Sequence, residues 1–154
     1  MLTRQTVIWC ARETTYGTDP AMTGTNGLLA FDVDINIQGE LLKREVLRDT
    51  LSDIAHVIGL RECELTFSTE LKGLGAHPGT QANLDIFELD RLLSGCSFNT
   101  GTISGTSITY ALTSNDNTMK SLSFYVHLGD SSAGNRHKIT GSRGTVKFNL
   151  SAGQ

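Results

Sequence analysis

The sequence has few aromatic residues, no paired cysteines and no excess of basic charge, and each shortage excludes a class of protein. Aromatic residues make up 6% of the 154 residues, which disfavours a glycosidase, because such enzymes hold sugars in clefts lined with aromatics. The cysteines Cys10, Cys63 and Cys96 are an odd number without CxxC spacing, so we expect free thiols in a reducing compartment. With a net charge of −3, the chain lacks the basic surface that grips nucleic-acid phosphates.

Long apolar segments are also missing. No run approaches the roughly 20 apolar residues that a membrane-spanning helix needs, so we expect no membrane partner. Residues 1–4 lead into only a short apolar patch, TVIWCA, which lacks the pattern of a secretion signal. The 154 residues are enough to bury a hydrophobic core, and we expect a single domain over residues 1–154.

What the sequence does contain is a series of short alternating segments separated by Gly, Thr and Ser. There are 16 glycines and two prolines, a mixture typical of an all-β domain with many short turns. We expect an N-terminal strand and a long loop within residues 1–28. Further strands are predicted over residues 29–37, 61–71, 106–112, 121–128, 136–139 and 145–150. In the last of these, Val146, Phe148 and Leu150 are predicted to face inward.

One segment has the helical period. Ala82, Ile86, Leu89 and Leu93 are spaced at i, i+4, i+7 and i+11, which places them along one side of a helix. We therefore predict a helix over residues 82–94, ended by Gly95. The predicted fold is mainly β, a β-sandwich or barrel with this helix packed against it.

Two of the predicted strands carry acid on one face. In FDVDIN, residues 31–36, aspartates alternate with apolar residues, and in RECELTFSTEL, residues 61–71, glutamates do the same. Strict alternation indicates a half-buried strand, although carboxylates that share a face repel each other. The apolar sets are Phe31, Val33 and Ile35 on the first strand and Cys63, Leu65, Phe67 and Leu71 on the second. The acidic sets are Asp32 and Asp34 on the first and Glu62, Glu64 and Glu70 on the second.

Between these strands, residues 39–59 mix charged and apolar side chains without a clear period. We predict an extended arm or a hairpin there. A plain surface loop of this composition would expose too much apolar surface. A contact between subunits would cover the apolar side chains and use the charges to set the register. The candidates for this inter-subunit contact are Leu41, Lys43, Arg44, Val46 and Arg48.

No catalytic, cofactor or metal site is predicted. Asp32-x-Asp34-x-Asn36 begins like a calcium loop, but Ile37 and Lys43 stand where an EF-hand needs Gly and Glu. The acidic strands also offer a carboxylate pair of the kind that glycosidases use, an alternative that the low aromatic content weakens. The four histidines show no metal-ligand spacing, and no GxSxG hydrolase elbow is present.

Two further segments, ETTYGTDPAMTGTNG at residues 13–27 and HKITGSRGTVKFNLSAGQ at residues 137–154, carry a family resemblance. They look like stretches of the tail tube proteins of long-tailed bacteriophages. The order of acidic strand, charged arm, acidic strand, helix and closing strands is similar to that family as well. Related chains often continue past the segment that resembles SAGQ. The resemblance therefore leaves two alternatives, a naturally short member and a truncated one.

The resemblance implies a structural virion protein and not an enzyme. Subunits of that family have a β-sandwich or barrel with a flanking helix and form hexameric rings, and stacked rings make a hollow tube for genome ejection. The implied location is the virion tail, assembled in the cytoplasm of the host bacterium. The implied partners are other copies of the chain and other tail proteins, namely the tape measure, terminator and distal tail proteins. DNA would pass through without specific binding.

The acidic strands are consistent with such a channel. A channel that passes DNA must not hold it, and fixed negative charge repels phosphates. We therefore expect the acidic side chains of both strands to face the channel. For either strand alone, an ordinary solvated face explains the same pattern. Other functions stay open: another tail component of the same fold (a terminator, an adaptor or the tube of a contractile injection system), or a carbohydrate-binding or hydrolysing β-sandwich.

Overall fold

The computed structural model describes residues 6–43, 56–72, 79, 87–129 and 135–150. The fold is mainly β with antiparallel sheets, which confirms the predicted class. In chain order, the described elements are β1 (Thr6–Arg12), a 3-10 turn (Gly24–Asn26), β2 (Gly27–Leu28), β3 (Ala30–Leu42), β4 (Val57–Thr69), α1 (Glu88–Ser94), β5 (Thr102–Ser104), β6 (Ser107–Thr109), β7 (Leu122–Leu128) and β8 (Asn135–Ser142).

The largest sheet has four strands in the order β2-β1-β7-β8. β1 pairs antiparallel with β7 along its full length, from Thr6 opposite Leu128 to Arg12 opposite Leu122. β8 pairs antiparallel with the other side of β7, with an irregularity between Leu122 and Phe124. All residues of β7 except the last are buried. This strand is therefore the centre of the core, as expected for a strand paired on both sides and covered on both faces.

Each face of this sheet has its own cover. On one face, α1 lies against β1, and Arg91 Nη1 donates a hydrogen bond to the carbonyl of Cys10 at 2.9 Å. On the other face, Met22 of the loop after β1 packs with Ala11 and Tyr125. Successive side chains of a strand point to opposite faces. Cys10 therefore lies on the face covered by α1, and its neighbour Ala11 lies on the face covered by Met22.

The predicted helix is shorter in the structure than in the sequence analysis. α1 begins at Glu88, and residues 82–86 lie outside the described residues. Gly95 ends the helix as predicted, its N–H bonding the carbonyls of the last turn. Leu93 is buried, but Asp90, Arg91 and Ser94 share the buried side. The helix therefore faces the sheet with polar as well as apolar side chains.

β3 and β4 form a separate two-stranded sheet, and residues 31–68 make a compact unit distinct from the rest of the chain. Thr69 Oγ1 donates to the carbonyl of Leu29 at 2.9 Å, and Glu40 lies beside Gly59. These two contacts fix an antiparallel pair. The strands are longer than predicted, so residues 39–42 and 57–59 of the predicted arm belong to strands, while residues 44–55 lie outside the described part.

The last part of the chain corrects two predictions. Of the predicted strand 106–112, Ser107–Thr109 forms a strand paired with β5, and Leu112 makes an isolated antiparallel bridge with Phe98. The predicted strand 145–150 is wrong, because residues 143–150 are all exposed and have no secondary structure. Val146, Phe148 and Leu150 are 41%, 49% and 80% exposed rather than facing inward. The alternating pattern is present, but a strand also needs a hydrogen-bonded neighbour, and the described residues provide none.

Candidate functional site

The candidate site is the acidic side of the β3–β4 sheet. Asp32 and Asp34 lie in β3 and Glu62 and Glu64 in β4, and all four side chains are exposed. Glu70 is also exposed but follows the end of β4. The structure therefore brings four of the five acidic candidates onto one small sheet. Whether that surface lines a channel stays a prediction.

Alternation holds over residues 33–36 of β3 and residues 62–68 of β4. Val33 and Ile35 of β3 and Cys63, Leu65 and Phe67 of β4 are half-buried, whereas the residues between them are exposed. This period of two separates an apolar face from a polar face in each strand. The side chains of Asp34, Glu62 and Glu64 therefore stand on the face away from the apolar one, within the alternating parts of the two strands.

Alternation fails at the two ends of the predicted apolar sets. Phe31 is 43% exposed, because Asp32 next to it has a left-handed backbone with φ 51° that interrupts the alternation, as at a β-bulge. Aspartate tolerates that conformation better than most residues. Leu71 is 60% exposed because β4 ends at Thr69. Phe31 and Leu71 were expected to share the half-buried face, and both expectations are wrong.

The acidic face has little positive charge to balance it. Within the described part of the chain, no ion pair involves Asp32, Asp34, Glu62 or Glu64. Glu70 lies 3.6 Å from the ammonium of Lys72, and both side chains are more than half exposed. Such a solvent-exposed pair contributes little stability. The face therefore carries fixed negative charge, which repels a polyanion and attracts cations.

Large apolar side chains are exposed at the end of the sheet where β3 finishes and β4 begins. Their exposed fractions range from 44% for Val57 to 69% for Leu60. Exposed large apolar side chains are ordinary when single, but a group of them at one end of a sheet marks an interaction site. The exposed apolar residues of this end are Ile37, Leu41, Leu42, Val57, Ile58 and Leu60.

Two of the five predicted inter-subunit contact residues, Leu41 and Lys43, lie within the described residues. Leu41 is in β3 and 56% exposed, and Lys43 directly follows that strand. Arg44, Val46 and Arg48 lie outside the described residues. The sequence alternatives for this region were an arm or a hairpin, and its described ends belong to a pair of hydrogen-bonded strands.

Sequence analysis missed a buried carboxylate at the end of β1. Glu13 is 5% exposed, and its carboxylate accepts hydrogen bonds from the hydroxyls of Ser121 and Ser123 at 2.5 Å. It also accepts from the N–H groups of Gly17 and Gly141, both at 2.7 Å. Burial raises the pKa of Glu13, but these four hydrogen bonds outweigh it and the pKa lies below its ordinary value. A fully satisfied carboxylate like this one holds structure and is not poised for proton transfer.

A second buried polar group joins α1 to the sheet. Asp90 is completely buried and pairs with the guanidinium of Arg12. Its other oxygen accepts the N–H of Gly101 at 2.7 Å, and Arg12 Nε donates to Ser94 Oγ at 2.9 Å. Asp90 also helps to raise the pKa of Tyr110 to about 12, after the larger effect of burial. The one sequence signal for this pair is that Arg12 alternates in phase with the buried Ile8 and Cys10 of β1.

An aromatic cluster covers the opposite face of the same sheet. The rings of Trp9 and His127 are 4.5 Å apart, and the guanidinium of Arg136 lies 4.4 Å above the Tyr125 ring. Burial lowers the pKa of His127, and the charge of Arg136 lowers it further. The Tyr125 hydroxyl donates to the carboxylate of Asp19 at 2.5 Å. This cluster fixes the loop after β1 onto the sheet.

The described residues offer no group of three or more His, Cys, Asp or Glu side chains that could hold a metal ion. In the same part of the chain, no helix has the length and apolar character needed to cross a membrane. Comparison with known proteins finds no matching family model, no similar curated protein and no similar solved structure.

Proposed function

We propose that this chain is a non-enzymatic structural protein of a bacteriophage virion, a tail tube subunit that assembles into stacked hexameric rings. In this proposal the complete fold is a β-sandwich or barrel of the tail tube type, and the acidic face of the β3–β4 sheet lines the channel for DNA. The partners are further copies of the chain and other tail proteins. The proposal rests on the resemblance of residues 13–27 and 137–154 to that family.

The observation that supports this proposal best is the incomplete β3–β4 sheet. Two strands alone are marginally stable in water, and a third strand or a packed helix is needed for independent stability. Within residues 31–68 the described elements are β3 and β4 alone, each thirteen residues long. Among the described residues, neither strand has a partner on its outer edge, and natural proteins normally cover or pair such edges. Neighbouring copies that pair these edges would complete the sheet and close it into a ring.

The distribution of charge along the same sheet supports a channel. The exposed apolar side chains at one end of the sheet, which include Leu41 and Leu60, suit contact between copies. The acidic residues Asp34, Glu62 and Glu64 would stand on the polar face, where they would face the channel. Fixed negative charge on a channel wall keeps phosphates in solution and avoids the friction of Lys–phosphate contacts.

Electron microscopy of the purified protein tests the proposal directly. We expect rings or tubes with a central channel, at concentrations where the exposed edges can pair. Single rings that never stack would favour a terminator or adaptor. A monomer without assembly at high concentration would contradict the proposal, and measurable binding to oligosaccharides by that monomer would favour the carbohydrate-binding alternative.

A further inference from the structure

We propose that residues 145–150 form a donor strand that pairs with the open edge of β8 in a second copy of this chain. The segment, TVKFNL, has the alternation of a strand, yet the structure leaves it exposed and without secondary structure. Main-chain hydrogen bonds to an open sheet edge are a common way for an extended segment to bind a partner. This inference shares with the proposed function only the requirement that copies associate.

The acceptor is identified by its length and position. β8 is the outer strand of the four-stranded sheet, bonded to β7 on one side. Its eight residues run from Asn135 to Ser142. Because the N–H of Gly141 already donates to Glu13, the part of this edge used for pairing ends at Thr140, which is long enough for residues 147–150. No strand lies on that other side within the described part of the chain. Such an edge is normally shielded or used for pairing.

One antiparallel register matches the side chains of both segments. It places Phe148 opposite Ile139 and Leu150 opposite His137, both half-buried residues of β8. Ile139 in turn stands opposite Phe124 of β7. The donor strand would therefore extend an existing apolar layer, and its own exposed apolar side chains would gain cover.

Charge and side-chain size fix this register against a slip. In the matched register Lys147 stands opposite the neutral Thr140. A slip of two residues in one direction sets Lys147 opposite Lys138, and like charges directly opposite each other destabilise a sheet. The same slip in the other direction sets Phe148 opposite Gly141, which has no side chain to pack against the ring. A slip of one residue turns the apolar side chains to the other face.

The contacts of residues 143 and 144, directly before the donor segment, favour pairing with a second copy over pairing within the same chain. A fold-back onto its own β8 would need residues 143 and 144 as a tight turn. Instead, the N–H of Gly144 donates to the carbonyl of Gly95 at 3.0 Å, and the guanidinium of Arg143 lies 5.7 Å from the ring centre of Tyr16. These contacts lead the chain away from the hairpin path. The same exchange of an element between identical copies is seen in domain swapping.

Disulfide trapping between two different variants tests this pairing. We would mix full-length chains carrying Lys147→Cys with tagged chains carrying Thr140→Cys, both positions being exposed. Cys63 and Cys96 are first replaced by serine in both chains. Cys10 can stay, because it is 1% exposed and burial raises its pKa to about 12. Mild oxidation should give a mixed disulfide, since directly opposed strand residues meet the geometry of that bond.

Two controls make the result specific. Pairing Lys147→Cys with Thr109→Cys, an exposed position in β6, should give no mixed disulfide. Adding Phe148→Lys should lower the yield of the mixed disulfide about tenfold, because the apolar contact with Ile139 is lost. A chain that carries both Lys147→Cys and Thr140→Cys and closes an internal disulfide as a monomer would overturn the proposal in favour of a fold-back hairpin.

The outcome can be separated from that of the tube proposal. Rings with a central channel but no mixed disulfide would contradict the donor-strand proposal and support the tube proposal. A mixed disulfide in open chains of molecules without a channel would support the donor strand and contradict the tube.

Discussion

At the scale of single residues, the two groups that tie the main sheet together are buried carboxylates. Glu13 links β1 to the chain around Ser121 and Gly141, and Asp90 links α1 to Arg12. Each carboxylate combines a partner nearby in the sequence, Gly17 for Glu13 and Gly101 for Asp90, with partners far away. Burying a carboxylate costs free energy unless it is paired and hydrogen-bonded, so each site depends on all of its partners.

We expect Glu13→Gln to lower the free energy of unfolding by about 2–4 kcal/mol at pH 7. The amide keeps the shape of the carboxylate, but its NH₂ group would face donors such as the N–H of Gly17 or Gly141, and one donor would lose its acceptor. Urea unfolding followed by tryptophan fluorescence measures the change, because Trp9 lies in the same sheet. Glu40→Gln, at an exposed position, is the matched control and should change stability little.

The original protein and its Glu13→Gln variant should also differ in their response to acid. The pKa of Glu13 is lowered by folding, so its ionised form stabilises the protein above the unfolded pKa of about 4.3. That contribution is lost as the pH falls through the folded pKa. The amide in the variant does not titrate, so the difference in stability between the two proteins should shrink with acid. If the difference in free energy of unfolding stayed constant from pH 7 down to pH 3, the charge of Glu13 would not be the source of its contribution to stability.

The sequence could predict neither of these carboxylate sites. The donors to Glu13 come from residues as distant as Gly141, and Asp90 meets Arg12 across 78 positions. Periodicity reports which face a residue occupies, not which polar groups meet it there. The helical period of residues 82–94 therefore identifies Leu89 and Leu93 but gives no role to Asp90 or Arg91.

At the scale of elements, periodicity predicted the strands well where the structure supplies a neighbour. β7 matches its predicted range, and β3 and β4 show the expected alternation over residues 33–36 and 62–68. Residues 145–150 have the same pattern and form no strand. The difference is physical, because alternation is a local property, whereas strand formation depends on a hydrogen-bonded partner that the local sequence does not reveal.

The acidic face of the β3–β4 sheet gives a prediction at this scale. Replacing Glu62 and Glu64 with lysine should leave folding and assembly largely unchanged, because both side chains are exposed and form no ion pair within the described residues. If the face lines a channel, assembled tubes of the variant should retain DNA and slow its ejection. Retention should weaken steeply between roughly 50 and 200 mM salt, by about 10³ where several phosphates are contacted.

The matched control for this variant is Glu62→Gln with Glu64→Gln, which removes the negative charge without adding positive charge. We expect faster ejection from this control than from the lysine variant. Loss of folding of the isolated subunit in the lysine variant would show that both glutamates are structural and would contradict the channel interpretation.

At the scale of the whole molecule, the chain divides into parts with very different stabilisation. The unit that holds the four-stranded sheet has a buried core around β7 and two internal polar networks. The described residues of the unit 31–68 form two strands and carry a series of exposed apolar side chains. Local stability follows buried contacts and paired backbone. The first unit should therefore be stable in the isolated chain, and the second should depend on neighbours.

Hydrogen exchange of the backbone amides tests this dependence. In the isolated monomer, the amides of β7 should be protected close to the global stability, whereas those of β3 and β4 should exchange through frequent local opening. After assembly, the amides of β3 and β4 should become at least about tenfold more protected, because partner strands would complete their sheet. The amides of β5 and β6, a short pair outside the proposed contacts, serve as the internal control and should change little. Equal protection of β3, β4 and β7 in the monomer would mean that the two-stranded sheet is already complete, and its exposed edges would then not explain assembly.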